Sequence, residues 1–324
     1  MKIPLKLDSG KEFDCVGFGV NAVDHLVVVP AYPAFDTKTR LTEHIQAAGG
    51  QTSSAMVGLG RLGMRAAYAG RFGSDAEGRF GLESLAREGV DTTGSEVIDG
   101  ARTQIGFIII DERFGERTVI WNRDERLAYT PQEAPVELAG RGRVLHLDAH
   151  DPPACAAMAH HARARGTVVS ADIDNIYEGL PELLPLIDVL ISSKEFPGRL
   201  TGIKDERLAL REIKARYGCR IVGMTLGVRG VIALCEEEFF EVPAYHVPGG
   251  CRDTTGAGDA FHAGFIYGLL TGASIEMSLR LGCATAALKC RALGARQSLP
   301  TRDELLKFLD TARVNRVAAS SANL

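Results

Sequence analysis

Asp253-Thr-Thr-Gly-Ala-Gly-Asp259, running into Ala260-Phe-His-Ala-Gly-Phe-Ile-Tyr-Gly-Leu-Leu270, is the stretch on which the reading of this chain turns. In its second part Phe261, Phe265 and Leu269 recur at helical spacing, so Gly256-Ala257-Gly258 falls where a loop becomes a helix. Free backbone N–H groups and the helix dipole make such a start an anion site, and glycine lets an anion approach the backbone closely. Asp259 is out of place beside a resting anion, because like charges repel. It makes sense as the group that takes a proton from an attacking hydroxyl during phosphoryl transfer. The competing reading makes Asp259 a helix cap and the glycines a turn.

Outward from this segment the chain alternates short apolar runs with helical patterns. Cys15–Gly19, Ala66–Ala69, Val144–Leu147, Val168–Ala171, Val189–Ile191 and Ile221–Thr225 read as buried strands. Ala55–Leu62, Ala76–Glu88, Pro153–Arg165 and Glu206–Tyr217 read as helices between them. That rhythm predicts an α/β fold with a largely parallel sheet covered on both faces. Two regions break it: 26–42 and 102–121 read as extended antiparallel ribbons, a small β lid inserted in a single domain spanning 1–313. The Ala-, Ser- and Asn-rich tail 314–324 is expected to be flexible.

The bulk properties exclude other classes. The 324 residues are 45% apolar, with a net charge of −4 from 41 acidic and 37 basic side chains. That balance argues against nucleic acid as the main partner. Seven cysteines, an odd number without a C-x-x-C, argue against a disulfide framework or a zinc ribbon and for free thiols. Residues 1–14 lack an apolar signal core, and no run reaches the ~18 apolar residues of a membrane span. A soluble, cytoplasmic protein is expected. Gly58-Leu-Gly60-Arg-Leu-Gly63 matches G-x-G-x-x-G, but a helix precedes it and a strand follows, the reverse of a dinucleotide-binding fingerprint. No Walker A sequence occurs. His146, Asp148 and His150 would share one face of a strand, a metal-like pattern without a further ligand cluster.

The whole segment Asp253–Asp259 with Ala260-Phe261 resembles the C-terminal signature of the ribokinase-like (PfkB) carbohydrate kinases, and the resemblance covers about the whole chain. Gly49-Gly50-Gln51-Thr-Ser-Ser54 through Leu62-Gly63 is similar to the family's N-terminal signature, with Ser54 where the family has Asn. Thr225-Leu-Gly227-Val-Arg-Gly230 resembles its T-x-G-x-x-G nucleotide turn. Tyr32-Pro-Ala-Phe-Asp36-Thr-Lys-Thr-Arg40 and Gly115-Glu-Arg117-Thr118 resemble the ketohexokinase branch.

The resemblance implies a three-layer α/β/α fold, with a mainly parallel central sheet and an inserted β-sheet lid through which the protein would form a homodimer. It implies ATP-dependent phosphorylation of a hydroxyl on a sugar-like small molecule. Asp259 matches the catalytic base, Gly256, Ala257 and Gly258 the anion hole, and Arg117 the cation on the ATP phosphates. Asp24, Asp36, Gly50, Gln51, Ser54 and Asp148 match acceptor contacts. Ser193, Thr225, Gly227 and Gly230 match nucleotide contacts, and Glu195 the carboxylate that orders Mg2+ through water. A second spacing would put Phe196 in that acidic position. Asp253 and Thr255 match a loop that holds K+ in several members.

A neutral ketose is the first choice of acceptor. A nucleoside, stacked on Phe35 or Trp121, is second, and a phosphorylated sugar met by Lys38 or Arg40 is third. The departures at Ser54 and at Ser192-Ser193 also raise a sugar-sensing regulatory protein that has lost turnover.

Overall fold

The computed structural model describes the backbone of residues 1–321 and the side chains of residues 1–311. The expected tail at 314–324 lies outside the fully described residues. The strands are β1 Phe13–Phe18, β2 Ala22–Val29, β3 Glu43–Gly49, β4 Ala66–Ala69, β5 Arg71–Gly73, β6 Glu96–Ile98 and β7 Ile105–Asp111. They continue with β8 Arg117–Asn122, β9 Gly142–Leu147, β10 Val168–Ala171, β11 Val189–Ser193, β12 Ile221–Thr225, β13 Val231–Cys235 and β14 Glu238–Val242. The helices are α1 Gln51–Arg61, α2 Ala76–Arg87, α3 Val136–Ala139, α4 Pro152–Ala164 and α5 Leu180–Leu183. After them come α6 Glu195–Thr201, α7 Glu206–Tyr217, α8 Ala257–Leu270, α9 Ile275–Lys289 and α10 Arg302–Ser321.

Eight strands form the central sheet, in the order β14-β13-β12-β11-β10-β9-β1-β4. The pairings from β12 to β4 are parallel, and the β13–β14 hairpin adds an antiparallel edge. Side chains alternate across the sheet with period two. Cys15, Val144 and Ile221 pack in one core with residues of α1, α8 and α9. Val16, Leu145 and Val222 pack in a second core with residues of α4 and α7. Burial on both faces explains why these strands are continuous apolar runs.

Residues 260–270 of α8 are all buried, so this helix is an internal rod rather than a surface helix. It lies tightly on α9: a Cβ at Gly264 would stand 2.5 Å from Leu281 O, and one at Gly268 would stand 2.7 Å from Ser278 Cα. The close fit fixes the start of α8 relative to the end of α9.

The second sheet runs β3-β2-β7-β8. It corrects one expectation. The first ribbon is not contained in 26–42: its strands are Ala22–Val29 and Glu43–Gly49, and 30–42 is their long connection. Glu43–Gly49 mixes exposed polar residues with Ala and Gly, so it carries a weak strand signal. Each ribbon is antiparallel, as expected, and the two join through a parallel β2–β7 pairing. Leu26, Val28, Ala47, Ile108 and Ile110 form this sheet's own small core with Leu293.

Candidate active site

The parallel strands point their carboxyl ends at one edge, where ligands bind in open α/β sheets. Asp148 follows β9, Asp172 follows β10, Ser193 ends β11 and Thr225 ends β12. The start of α8 faces this edge. Gly256 caps the helix with φ 76°, and a Cβ there would also come within 2.7 Å of Ala295 Cα. At Gly258 a Cβ would meet nothing within 4 Å, so the first turn opens onto free space. Ala257 N–H donates to Thr254 O at 3.1 Å. The N–H groups of Gly256, Gly258 and Asp259 have no protein acceptor among the described residues. Of the residues expected to form an anion hole, Ala257 has its amide engaged, whereas the amides of Gly256 and Gly258, and of Asp259 beside them, are open among the described residues.

Asp259 stands in the first turn of α8. Burial, and then the Asp172 carboxylate, push it well above the ordinary carboxylate range, and Arg117 opposes them. Both features suit a proton acceptor. Arg117 reaches across from β8, its Nη1 donating to Thr254 Oγ1 at 2.9 Å. Thr254 in turn donates its N–H and its hydroxyl to Gly115 O, at 3.3 and 3.2 Å, so the lid hairpin rests on the anion-hole loop. Asp253 is fully buried: its Oδ1 accepts from Thr255 N at 2.7 Å and its Oδ2 from Gly294 N at 2.8 Å. The Lys289 ammonium donates to Asp253 O at 2.9 Å and lies 3.7 Å from Asp253 Oδ2.

On the lid, Asp24 pairs with Ala47 of β3 and Gly106 of β7, and Gly106 pairs with Trp121 of β8. Cross-strand partners share a face, so Asp24 and Trp121 flank bare Gly106 on the face turned toward the edge. Glycine is needed there: a Cβ on Gly106 would stand 2.6 Å from Asp24 Oδ1, and one on Gly49 would stand 2.0 Å from Oδ2. Asp24 is 7% exposed. Burial pushes its carboxyl up to about 6, with Arg296 pulling the other way. Trp121 meets His150 edge-on at 6.1 Å between centroids, and His150 meets Tyr177 at 5.0 Å, which completes an aromatic wall. His150 Nε2 contacts Gln51 Oε1 at 3.1 Å.

Two expected acceptor contacts are also bonded within the protein. Asp148 is fully buried, accepting from Val20 N at 2.6 Å, Thr52 Oγ1 at 2.8 Å and His150 N at 3.2 Å. It bolts the β1 and β9 ends to α1. Ser54 is also fully buried, and its hydroxyl accepts from Arg296 Nε at 3.2 Å. Arg296 Nη2 further donates to Gly49 O and Ser53 Oγ, and Nη1 to Ser84 Oγ. The guanidinium thus braces the start of α1 where the family has Asn. Asp36 is exposed, with φ 56°, in the 30–42 connection. No hydrogen bond or ion pair ties it to the other site residues among those described. Gly50 caps α1 at the same edge.

Ser193 and Thr225 are register partners. Gly227 and Gly230, both with positive φ, shape the turn after Thr225 and leave Val228 96% exposed. Between the two spacings for the acidic position, Phe196 is fully buried, while Glu195 is exposed and 3.4 Å from Lys194. The metal pattern of His146, Asp148 and His150 does not form. His146 is buried against Ser170 and His262, and no group of three metal-ligating side chains assembles among the described residues.

Lys289, Arg296, Asp172 and His262 were missed from sequence. His262 lies three residues past Asp259 on α8, 3.3 Å from Asp172 Oδ1. Burial works against the Asp172 charge, yet His262, His146 and Gln51 hold it below its ordinary value. The only signal was a basic residue at the end of an apolar helix, Lys289, and one in a short loop, Arg296.

Residues 21–302 match the family described as pfkB family carbohydrate kinase. The chain is 29% identical over 286 residues to the ATP-dependent ribose-1-phosphate kinase of Halopiger xanaduensis, covering 87% of this chain and 93% of that protein. It is 29% identical to the fructokinase of Klebsiella pneumoniae, covering 82% and 92%. A crystal structure assigned as a ribokinase from Agrobacterium tumefaciens superposes with a TM-score of 0.85 at 30% identity, covering 92% of this chain and 98% of that one.

Proposed function

The chain belongs to the pfkB family of carbohydrate kinases, and from that premise we propose that it transfers the γ-phosphoryl group of Mg-ATP to a hydroxyl of a neutral, sugar-like acceptor. One observation carries the reading: a carboxylate raised by its surroundings stands in the first turn of α8, beside amides that face open space. In the proposed step the acceptor hydroxyl gives its proton to Asp259 as its oxygen bonds to the γ-phosphorus. The bond to the bridging oxygen breaks, and ADP leaves. The amides of Gly256, Gly258 and Asp259 hold the equatorial oxygens together with Arg117. Ser193, Thr225, Gly227 and Gly230 would line the nucleotide turn, and Glu195 would hold, through water, the Mg2+ that arrives with ATP and would supply positive charge against its phosphates. Replacing Asp259 by Ala should lower turnover by at least about 10²-fold while leaving ATP binding intact. Near-normal turnover in that variant rejects the mechanism.

For the acceptor, the charges at the pocket support a neutral polyol, with a ketose first. Asp24 is a carboxylate with no hydrogen-bond donor among the described residues, suited to accept from two hydroxyls. The guanidinium of Arg296 is already bonded to Gly49, Ser53, Ser54 and Ser84. A phosphorylated sugar would find no free buried cation on this side among the described residues. The wall of Trp121, His150 and Tyr177 favours a nucleoside as second choice, since a flat base stacks on aromatic rings. ADP release measured across ketoses, aldoses, sugar acids, nucleosides and sugar phosphates decides among them. Tight binding of one sugar without ADP release would favour a sensor instead. A homodimer through the lid is supported by the exposed outer face, where Phe107 pairs with Ile120 and stacks on His25; sedimentation as a monomer would rule it out.

A further inference from the structure

We propose that the Lys289 ammonium is a built-in cation behind the anion hole, so that phosphoryl transfer in this protein needs no bound K+. The proposal rests on the kinase reading above. The loop 253–256 is where the family resemblance puts K+, and the residues present do not fit that ion. A cation site there would use the Asp253 carboxylate as its anionic ligand. Both oxygens of that carboxylate already accept backbone amides, from Thr255 and Gly294, and the ammonium of Lys289 lies 3.7 Å from one of them. The main-chain carbonyl of Asp253 is bonded to the same ammonium at 2.9 Å.

Thr255 Oγ1 is buried without a protein partner. One neutral hydroxyl does not replace the several oxygens with which a hard cation exchanges its hydration shell. A second cation would also sit close to Lys289 in a buried setting, where like charges repel strongly.

Lys289 can do what a bound alkali ion would do. It neutralises a buried carboxylate and pins the carbonyl that sets the geometry of the loop into Gly256–Gly258. Its position is rigid: the side chain is fully buried, it is the last residue of α9, and its own carbonyl accepts from Ser298 Oγ. The α8–α9 packing ties that end of α9 to the first turn of α8. The positive charge is felt at the reaction centre, because Lys289 is among the groups that pull Asp259 down. Lys289 is accordingly a positioning residue, acting through the loop and not by touching the acceptor.

The test compares KCl, NaCl and tetramethylammonium chloride at matched ionic strength. Wild-type ADP release should agree within about twofold in the three salts, and stimulation by K+ of about tenfold or more overturns the proposal. The melting temperature of the wild type with a non-hydrolysable ATP analogue should be the same in KCl and tetramethylammonium chloride. A rise specific to K+ overturns the proposal without any turnover being needed. If no acceptor supports ADP release in any salt, the kinase reading fails, and the melting comparison still decides the cation claim. In Lys289→Met, turnover should fall by about 10²-fold, and K+ but not tetramethylammonium should restore activity or melting temperature. A variant that responds alike to both salts counts against the proposal. If Lys289→Met does not fold, the wild-type comparisons stand alone.

Discussion

Replacing Asp24 by Asn should stabilise the protein at neutral pH while crippling it. Asp24 is buried, with its carboxyl raised from 3.8 to about 6, chiefly by burial. Below about pH 3 the side chain is protonated in both folded and unfolded chains and costs nothing. As pH climbs through the interval up to about 6, the unfolded chain releases this proton while the folded one retains it. Stability falls across that window and stays lower above it. A rise from 3.8 to about 6, at about 1.4 kcal/mol per unit, is worth about 3 kcal/mol. Asn carries no charge at any pH and escapes the penalty, although an imperfectly bonded buried amide takes back about 1 kcal/mol.

The stability difference between Asp24→Asn and wild type should therefore grow by about 3 kcal/mol between about pH 3 and about pH 7, leaving the variant about 2 kcal/mol ahead at neutrality. Urea denaturation of both proteins at the two pH values measures it directly. The same substitution removes the acceptor's anionic partner, so KM for the acceptor should rise at least about tenfold. A stability difference independent of pH, or a variant weaker than wild type at neutral pH, refutes the assignment of Asp24 as a strained, uncompensated carboxylate.

The two glycines of the anion hole should separate stability from chemistry. Gly258→Ala adds a methyl into open space, so the fold and melting temperature should be unchanged while turnover drops by about 10²-fold. Gly256→Ala forces a positive φ on a residue with a Cβ and drives it against Ala295, so the melting temperature itself should fall, by the equivalent of at least about 1–2 kcal/mol. Asp148→Asn should lower stability by about 1–3 kcal/mol, because it disturbs two buried hydrogen bonds and one half-buried one, while KM for the acceptor holds. A rise in KM without loss of stability would return Asp148 to the acceptor.

The parts legible in sequence were those whose cause is local. Ala66–Ala69 and Ile221–Thr225 match their strands residue for residue, since burial on both faces leaves an unbroken apolar run. Asp259 and its glycines form a contiguous motif with a helix behind it. Helix α1 begins at Gln51, not Ala55, because Thr52, Ser53 and Ser54 are polar yet buried by partners elsewhere. Those partners were illegible. Arg296 bonds Ser54 across 242 positions, Asp148 bonds Val20 across 128, and Lys289 meets Asp253 across 36. Periodicity reports which face of an element is buried, but it carries no information on which charge waits there. Asp148 and Ser54 were placed at the acceptor by resemblance, and only the fold reveals which protein groups they also bond.

The division of the pocket between two sheets has a consequence for how such an enzyme can change over time. Asp24 and Trp121 ride on the small sheet, whereas Asp259, Asp253 and Lys289 belong to the large one and its helices. The small sheet keeps its own hydrophobic centre with Leu293, while Gly115 and Arg117 of its β7–β8 hairpin bond Thr254 of the large part. Substitutions in the 30–42 connection would reshape what the proposed pocket accepts, whereas Arg117 of β8 is held to Thr254 on the proposed phosphate side. Freedom to change diet would therefore lie in that connection, and the chemistry in the parts that Arg117 and Thr254 join.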